Sequence, residues 1–166
     1  MIPLEIKALD KSHWPAVSKI YADGLETKIA SFETTCPSWE DWDMNHHKFC
    51  RFVICEDKNA IGWIALVPVS NRKVYAGVAE VSIYISKESQ GKGVGKMLMS
   101  HLLNEVEKHG IYTLQCSLFP ENRVSYALHS AFGFREIGYR EKVAKLENEW
   151  RNTILMERRS KSEEFN

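Results

Sequence analysis

The chain has 166 residues, with 22 basic and 22 acidic side chains and a formal net charge of +0. That length suits one domain with a sizeable core, and 44% apolar with 27% charged residues is ordinary for a soluble globular protein. The balanced charge argues against a protein built mainly to grip nucleic acid, which needs a concentrated positive field.

The opening "MIPLEIKALDKSHW" has no basic segment followed by an apolar core, so a secretory signal is not expected. Ile2, Leu4 and Ile6 alternate and predict a strand, and Asp10 can cap a helix carrying Trp14, Val17, Ile20 and Tyr21. "CPSWEDWDMNHHKF" predicts a second helix, with Ser38 ahead of Asp41 and a face of Trp39, Trp42, His46 and Phe49. "RFVICED" and "AIGWIALVPV" predict two strands joined by a turn at Lys58 and Asn59. "NRKVYAG" reads as a loop and "VAEVSIYIS" as a further strand. After a glycine-rich turn, Val94, Met97, Leu98, Leu102 and Val106 give a helix its apolar stripe, ended by His109 and Gly110. "IYTLQCSLF" is strand-like, and "PENRVSYALHSAFGF" carries a helical pattern through Val124, Leu128 and Phe132, stopped by Gly133. Two more strands are expected around Ile137 to Val143 and Ile154 to Met156. Strands on both sides of helices, with no repeat and no linker, predict one α/β domain over residues 1–160 with a mixed sheet. The polar tail 161–166 is expected to fray.

Cys36, Cys50, Cys55 and Cys116 form no CxxC pair, and no histidine stands at zinc-finger spacing, so they read as free thiols in a reducing compartment. The cytoplasm is the default location. No apolar run approaches membrane-spanning length. No metal, membrane or nucleic acid partner is expected; the adjacent His46 and His47 point in different directions on a helix and have no acidic partner at ligand spacing.

The chemistry-bearing stretch is "ISKESQGKGVGKMLMSHLL", where Gly91, Gly93 and Gly95 separate an alternating apolar run from a helical one. A helix start leaves amide donors unpaired and carries partial positive charge. Glycines let the backbone approach an anion closely, and Lys92 and Lys96 add charge nearby. A phosphate-binding turn and a tight connection with solvated lysines both fit. A Walker loop is excluded because Met97 follows Gly95-Lys96, and "GKGVGK" lacks the GxGxxG spacing of a dinucleotide fingerprint.

The segment Gln90-Gly91-Lys92-Gly93-Val94-Gly95 resembles the Q/R-x-x-G-x-G/A signature of the GCN5-related N-acetyltransferase (GNAT) superfamily. "AEVSIYIS" upstream resembles that superfamily's pantetheine-binding strand, and "NRVSYALHSAFGF" downstream its helix ending in Gly-Phe. More narrowly, from Ile2 to Arg158 the chain resembles the phosphinothricin N-acetyltransferase group. The resemblance implies the GNAT fold, a mostly antiparallel mixed sheet flanked by helices. It implies acetyl-CoA as the donor, held by Gln90 to Lys96, by the backbone of Ile83 and Ile85, and by Asn122 and Ser125. It also implies a homodimer.

Glu80, an acidic residue in a strand-like run, either points outward, pairs with a lysine, or serves as a general base for an acceptor ammonium; the resemblance implies the last. His129 reads from the residues alone as a packed or surface histidine; the resemblance implies a role beside the departing thiol. Asn122 can also cap its helix. Cys116, a rival nucleophile, has no histidine indicated beside it and reads as a small buried thiol. By resemblance, "IASFETT" and "WEDW" form the acceptor lid, where Phe32 and Trp39 pack over a small substrate or over each other, and Trp150 closes the other side or stabilises a subunit contact. The group often ends in G-x-W-x-D; here Trp150 is kept, but Asn148 and Asn152 replace the glycine and aspartate, and Glu147 stands where histidine or an aromatic is common. The expected activity is acetyl transfer to the primary amine of a small amino-acid-like compound, with phosphinothricin itself a poor substrate. The alternatives are a protein or peptide amine as acceptor, and a CoA-binding module without catalysis.

Overall fold

The structure, a computed structural model, describes residues 3–166, so Ile2 lies outside the described residues. Seven strands form one sheet in the order β1-β2-β3-β4-β5-β7-β6. They are β1 (Leu4–Ala8), β2 (Phe52–Glu56), β3 (Asn59–Pro68), β4 (Val78–Ile85), β5 (Thr113–Leu118), β6 (Arg135–Leu146) and β7 (Glu149–Arg159). Every neighbouring pair is antiparallel except β4 with β5. Four helices flank it: α1 (Trp14–Glu26), α2 (Trp39–Asn45), α3 (Val94–Val106) and α4 (Arg123–Ala131). This is the mixed, mostly antiparallel GNAT architecture expected from the sequence.

The central strands are apolar on both faces because helices cover both. Ile54, Ile64, Leu66 and Val81 pack with Leu98 and Leu102 of α3. The alternate residues Val53, Cys55, Trp63 and Ala65 pack with Val17 and Ile20 of α1 and Trp42 of α2. The period-two alternation of side chains along a strand therefore divides two cores rather than a core from solvent. Fully burying an aliphatic side chain of this kind contributes about 1.5–3 kcal/mol.

Several boundaries differ from the sequence reading. α2 stops at Asn45 rather than running to Phe49. Its last carbonyls are taken by side chains, with Asn45 Nδ2 donating to Asp41 O and His46 Nδ1 to Trp42 O, while His47 N donates to Leu66 O of β3. The chain thus leaves the helix to join the sheet. The β2–β3 turn falls on Asp57 and Lys58, both at positive φ, and Asn59 already belongs to β3. The loop 71–77 contains a short 3-10 turn at Lys73–Tyr75. β6 and β7 are far longer than expected and meet in a two-residue turn, Glu147 (φ 48°) and Asn148 (φ 69°). Positive φ at both turn positions matches the right-handed twist of a hairpin, and asparagine tolerates it. Asn152 fills the bulge in β6, accepting from Lys142 N and donating to the Tyr139 hydroxyl, each at 2.8 Å. The tail is docked rather than frayed: Phe165 packs on Tyr112 at 5.6 Å, and Arg159 Nη2 donates to Phe165 O at 2.6 Å.

His46 lies against Trp42, with ring centroids 4.1 Å apart, and beside Trp63. Burial lowers its pKa from 6.5 to about 4, against the backbone bond to Trp42, while Arg51, His47 and Lys48 lower it further. The unfolded chain therefore binds the proton first, and stability is lost as pH falls from about 6.5 toward 4. At about 1.4 kcal/mol per pKa unit the total is on the order of 3 kcal/mol. Urea unfolding across that range should show a shallower acid loss in His46→Leu than in the parent.

Candidate active site

β4 and β5 pair over only three residues, Val78↔Thr113, Ala79↔Leu114 and Glu80↔Gln115. Beyond Glu80, β4 stays on β3 out to Ile85, whereas β5 turns away with β7. The strands part, and the β4 edge facing β5 is left unpaired by the sheet. A cavity of about 510 Å³ occupies the gap, reaching α4 on one face of the sheet and α1 with the following loop on the other.

Alternation along β4 sorts the lining. Ile83 and Ile85 lean toward the α3 core, while Tyr84 packs with Tyr21 and Trp63 on the α1 side, which places Glu80 and Ser82 on that side as well. Gly24 of α1 makes room for Tyr84, since a Cβ there would sit 2.6 Å from the ring.

The glycine turn lies at the end of β4 and the start of α3. Gly91 (φ 73°) and Gly93 (φ 82°) are left-handed, and a Cβ on either would meet open space. Gly93 is the N-cap of α3, and the first helical bond runs from Met97 N to Gly93 O, so the amides of Val94, Gly95 and Lys96 have no partner within the helix. Val94 is buried in the core; Lys92 and Lys96 are exposed. Gly95 serves packing, its hypothetical Cβ lying 3.3 Å from Leu128 of α4. Gln90 lines the cavity and donates to Ile85 O at 3.3 Å. Open backbone around two left-handed glycines, unpaired amides and a bare strand edge fit a phosphate-bearing, peptide-like arm such as that of acetyl-CoA.

Asn122 caps α4, its Oδ1 accepting from Ser125 N at 3.2 Å, and its Nδ2 donates to Ile29 O at 3.1 Å. One side chain therefore ties the helix start to the loop after α1. Asn122→Ala should cost about 0.5–2 kcal/mol in unfolding experiments through the lost cap. Asn122→Asp keeps the cap acceptor but loses the donor to Ile29; it should hold most of that stability while raising the acceptor KM.

Ser125 and His129 both line the cavity. His129 is 1% exposed; its Nδ1 lies 2.7 Å from Ser125 O, a carbonyl, so Nδ1 carries the proton. Burial lowers its pKa, opposed by that backbone bond, so the neutral ring is favoured. Its Nε2 is a buried acceptor with no hydrogen-bond partner. In this state the ring can accept a hydrogen bond, for instance from a thiol, but has no Nε2 proton to give a thiolate.

Glu80 is half-buried where the strands part, and its Oε2 accepts from Gln115 Nε2 at 3.1 Å. Its partner is a neutral amide and not a lysine. Phe32 lines the cavity, edge-on to Phe119 with centroids 4.8 Å apart. Trp39 does not: it packs on Trp14 and Trp42 under Arg51, because α2 lies against the start of α1. Trp150 is 57% exposed beneath Lys145 Nζ and likewise stands off the cavity.

Sequence reasoning passed over Tyr21, Tyr84, Ser117, Phe119 and Thr153 as site residues, all of which line the cavity, as does Glu33 of the expected lid. Tyr84 was within reach, being two and four residues from Ser82 and Glu80 on one strand face. Thr153 was hidden by the short expected bounds of β7. Burial pushes Tyr21 up to about 12 and Tyr84 higher still, so both phenols remain protonated near neutral pH. Burial also pushes the Cys116 thiol up to about 12, helped by the Glu80 charge, which suits an inert core thiol. The four cysteines are free. Among the described residues no helix is long and apolar enough to cross a membrane, and no group of three or more metal-ligating side chains is gathered.

The acetyltransferase (GNAT) family profile matches residues 13–134. A Bacillus subtilis (strain 168) protein named "Putative phosphinothricin acetyltransferase YwnH" is 31% identical over 137 residues, covering 80% of this chain and 84% of that protein. An L-methionine sulfoximine/L-methionine sulfone acetyltransferase of Salmonella typhimurium is 24% identical over 168 residues, with 93% of each chain covered. A solved GNAT superfamily phosphinothricin acetyltransferase from Sinorhizobium meliloti, in complex with acetyl-CoA, superposes with a TM-score of 0.83 at 25% identity, covering 94% of this chain and 88% of that one. Parted strands, a glycine turn at a helix start and a carboxylate between them thus accompany a family match over most of the sequence: the chain belongs to the acetyltransferase (GNAT) family.

Proposed function

We propose that the protein is an acetyl-CoA-dependent N-acetyltransferase acting on the primary amine of a small molecule, by direct transfer in a ternary complex. The observation that carries this reading is Glu80, a half-buried carboxylate at the divergence of β4 and β5 with one oxygen held by Gln115. The donor, when bound, supplies a thioester whose C–S bond breaks as the C–N bond to the amine forms. The chain's own groups do the rest. Amides of Gln90 to Lys96 hold the pyrophosphate, the β4 edge at Ile83 and Ile85 orients the arm, and Asn122 and Ser125 flank it. Glu80 takes the proton of the acceptor ammonium, because only a neutral amine is nucleophilic. A backbone N–H near Val81 or Ser82 meets the developing oxyanion, where a fixed donor is worth most. As the tetrahedral intermediate collapses, the nitrogen's surplus proton passes to the departing sulfur, and His129 Nε2 accepts a hydrogen bond from the resulting thiol.

The loop after α1, with Phe32, borders the end of the cavity away from the glycine turn, which supports a small acceptor over a peptide. An amino-acid-like acceptor is supported by the names of the relatives. The cytoplasm and a homodimer remain part of this reading; Tyr139 at 55% and Trp150 at 57% exposure offer an apolar face on the β6–β7 hairpin for a second copy. Light scattering that finds only monomer at micromolar concentration removes the dimer. For the activity, thiol release from acetyl-CoA is measured against amines, amino acids and short peptides. Binding of acetyl-CoA without release toward any amine removes the enzyme reading, and release with peptides alone removes the small acceptor.

A further inference from the structure

Among the described residues, the buried side-chain polar atoms without a hydrogen-bond partner are Trp42 Nε1, His47 Nε2, Trp63 Nε1, His129 Nε2 and Thr153 Oγ1. Only the last two belong to residues that line the cavity. His129 meets the departing thiol in the reading above, which leaves the hydroxyl of Thr153 without a task.

Thr153 is 3% exposed and stands on β7 one step past the last pair with β5, Leu118↔Ile154. Ile154 and Met156 pack in the α3 core, so alternation turns Thr153 to the α1 side, with Arg151. Arg151 lies over the Phe119 ring at 4.1 Å and donates to Lys28 O at 2.9 Å, which fixes that face. It is the face that carries Glu80. The strand itself does not require a hydroxyl, since valine has the same branching and the same preference for strands. A buried hydroxyl with no partner costs stability. One that lines a cavity is satisfied when a ligand fills it.

Register sets its distance from the base. Glu80 is level with Gln115, Gln115 is level with Glu157, and Thr153 lies four positions before Glu157 on β7. At 3.3 Å per residue that is roughly 13 Å along the sheet, too far for one atom to touch both groups. Phe119 follows Leu118 and so stands abreast of Thr153, with Phe32 edge-on to it at 4.8 Å. A carboxylate can only accept a proton or a hydrogen bond. The hydroxyl at the other end adds an O–H donor beside an aromatic pair, and the group such a donor recognises is an oxygen.

Resting on the acetyltransferase reading above, we infer that Thr153 is a specificity-determining residue: its hydroxyl donates a hydrogen bond to an oxygen at the far end of the acceptor, several bonds from the amine that Glu80 serves. The acceptor class is a primary amine whose aliphatic stem ends in a sulfonyl, carboxamide or hydroxyl oxygen, the stem lying along Phe32 and Phe119.

The test uses amines matched in shape that differ in the distal oxygen: methionine sulfone and methionine, 6-hydroxynorleucine and norleucine, 3-(methylsulfonyl)propylamine and 3-(methylthio)propylamine. Thiol release at saturating acetyl-CoA gives kcat/KM for each. The oxygen-bearing member of at least one pair should lead by about tenfold or more, because the analogue without the oxygen leaves a buried hydroxyl unpaired. Thr153→Val removes the hydroxyl and keeps the shape. It should shrink that lead by about tenfold through the oxygen-bearing member alone, with the KM for acetyl-CoA unchanged. Its thermal midpoint should equal or exceed the parent's, because the hydroxyl removed had no partner. Thr153→Ser restores the hydroxyl and should restore the lead. A purely structural threonine behaves otherwise: Thr153→Val then loses stability with the lead intact, or both members of a pair lose turnover equally. Either result overturns the inference and leaves the transferase standing, as does a parent with no lead in any pair. No thiol release with any amine, while acetyl-CoA still binds, overturns the transferase reading and this inference with it.

Discussion

Glu80→Gln should lower kcat/KM at neutral pH by about 10²–10⁴-fold, the usual contribution of a general base, while acetyl-CoA still binds. The exchange nearly preserves volume, and a glutamine at this position can turn its oxygen toward Gln115 Nε2, which now donates to Glu80 Oε2 at 3.1 Å. The local structure where β4 and β5 part should survive. What is lost is a site for the ammonium proton. The deficit should therefore shrink as pH rises toward the amine's own pKa, where more acceptor is already neutral. A glutamate with only a structural role would behave differently, lowering stability or donor affinity with no recovery at high pH. The measurement is a pH profile of kcat/KM for parent and variant with an acceptor of known pKa, beside calorimetry of acetyl-CoA binding. Parental turnover at neutral pH in the variant would remove Glu80 as the base.

The second large effect concerns the turn. Gly93→Val places a β-branched side chain at φ 82° on the N-cap of α3. The left-handed conformation costs an ordinary residue about 1–2 kcal/mol, and the new side chain enters the open space beside the unpaired amides of the first turn. Hydrogen bonds to a charged group contribute about 1.5–3 kcal/mol each. Losing one or two of them weakens acetyl-CoA binding by roughly 10- to 10⁴-fold. Gly110 provides the control: it too is left-handed, at φ 77°, with nothing within 4 Å of a hypothetical Cβ, but it follows the other end of α3. Gly110→Val should show comparable backbone strain in thermal unfolding and leave donor affinity near parental. Equal affinity losses in the two variants would mean that strain, not amide access, explains the first.

Some of this protein was legible in its sequence because it depends on local physics. Alternation and helical spacing marked the strands and helices of the core, since each residue's face follows from backbone geometry alone. The glycine turn was legible because left-handed backbone and close approach favour one residue type, and Gly91 and Gly93 both adopt positive φ. Glu80 was visible as a charge in an apolar strand. Other features were decided only by tertiary structure. α2 ends at Asn45 because β3 claims the amide of His47, a contact between segments 19 residues apart that no local pattern encodes. Trp39 and Phe32 sat in one expected lid, yet Trp39 joins Trp14 and Trp42 while Phe32 meets Phe119 at the cavity. β6 and β7 extend beyond their apolar centres because pairing satisfies the backbone whatever the exposed side chains are. The acceptor side, finally, joins Glu33, Glu80 and Thr153 from three separate segments. The lining of such a cavity comes from the chain's path through space, and no single stretch of residues contains it.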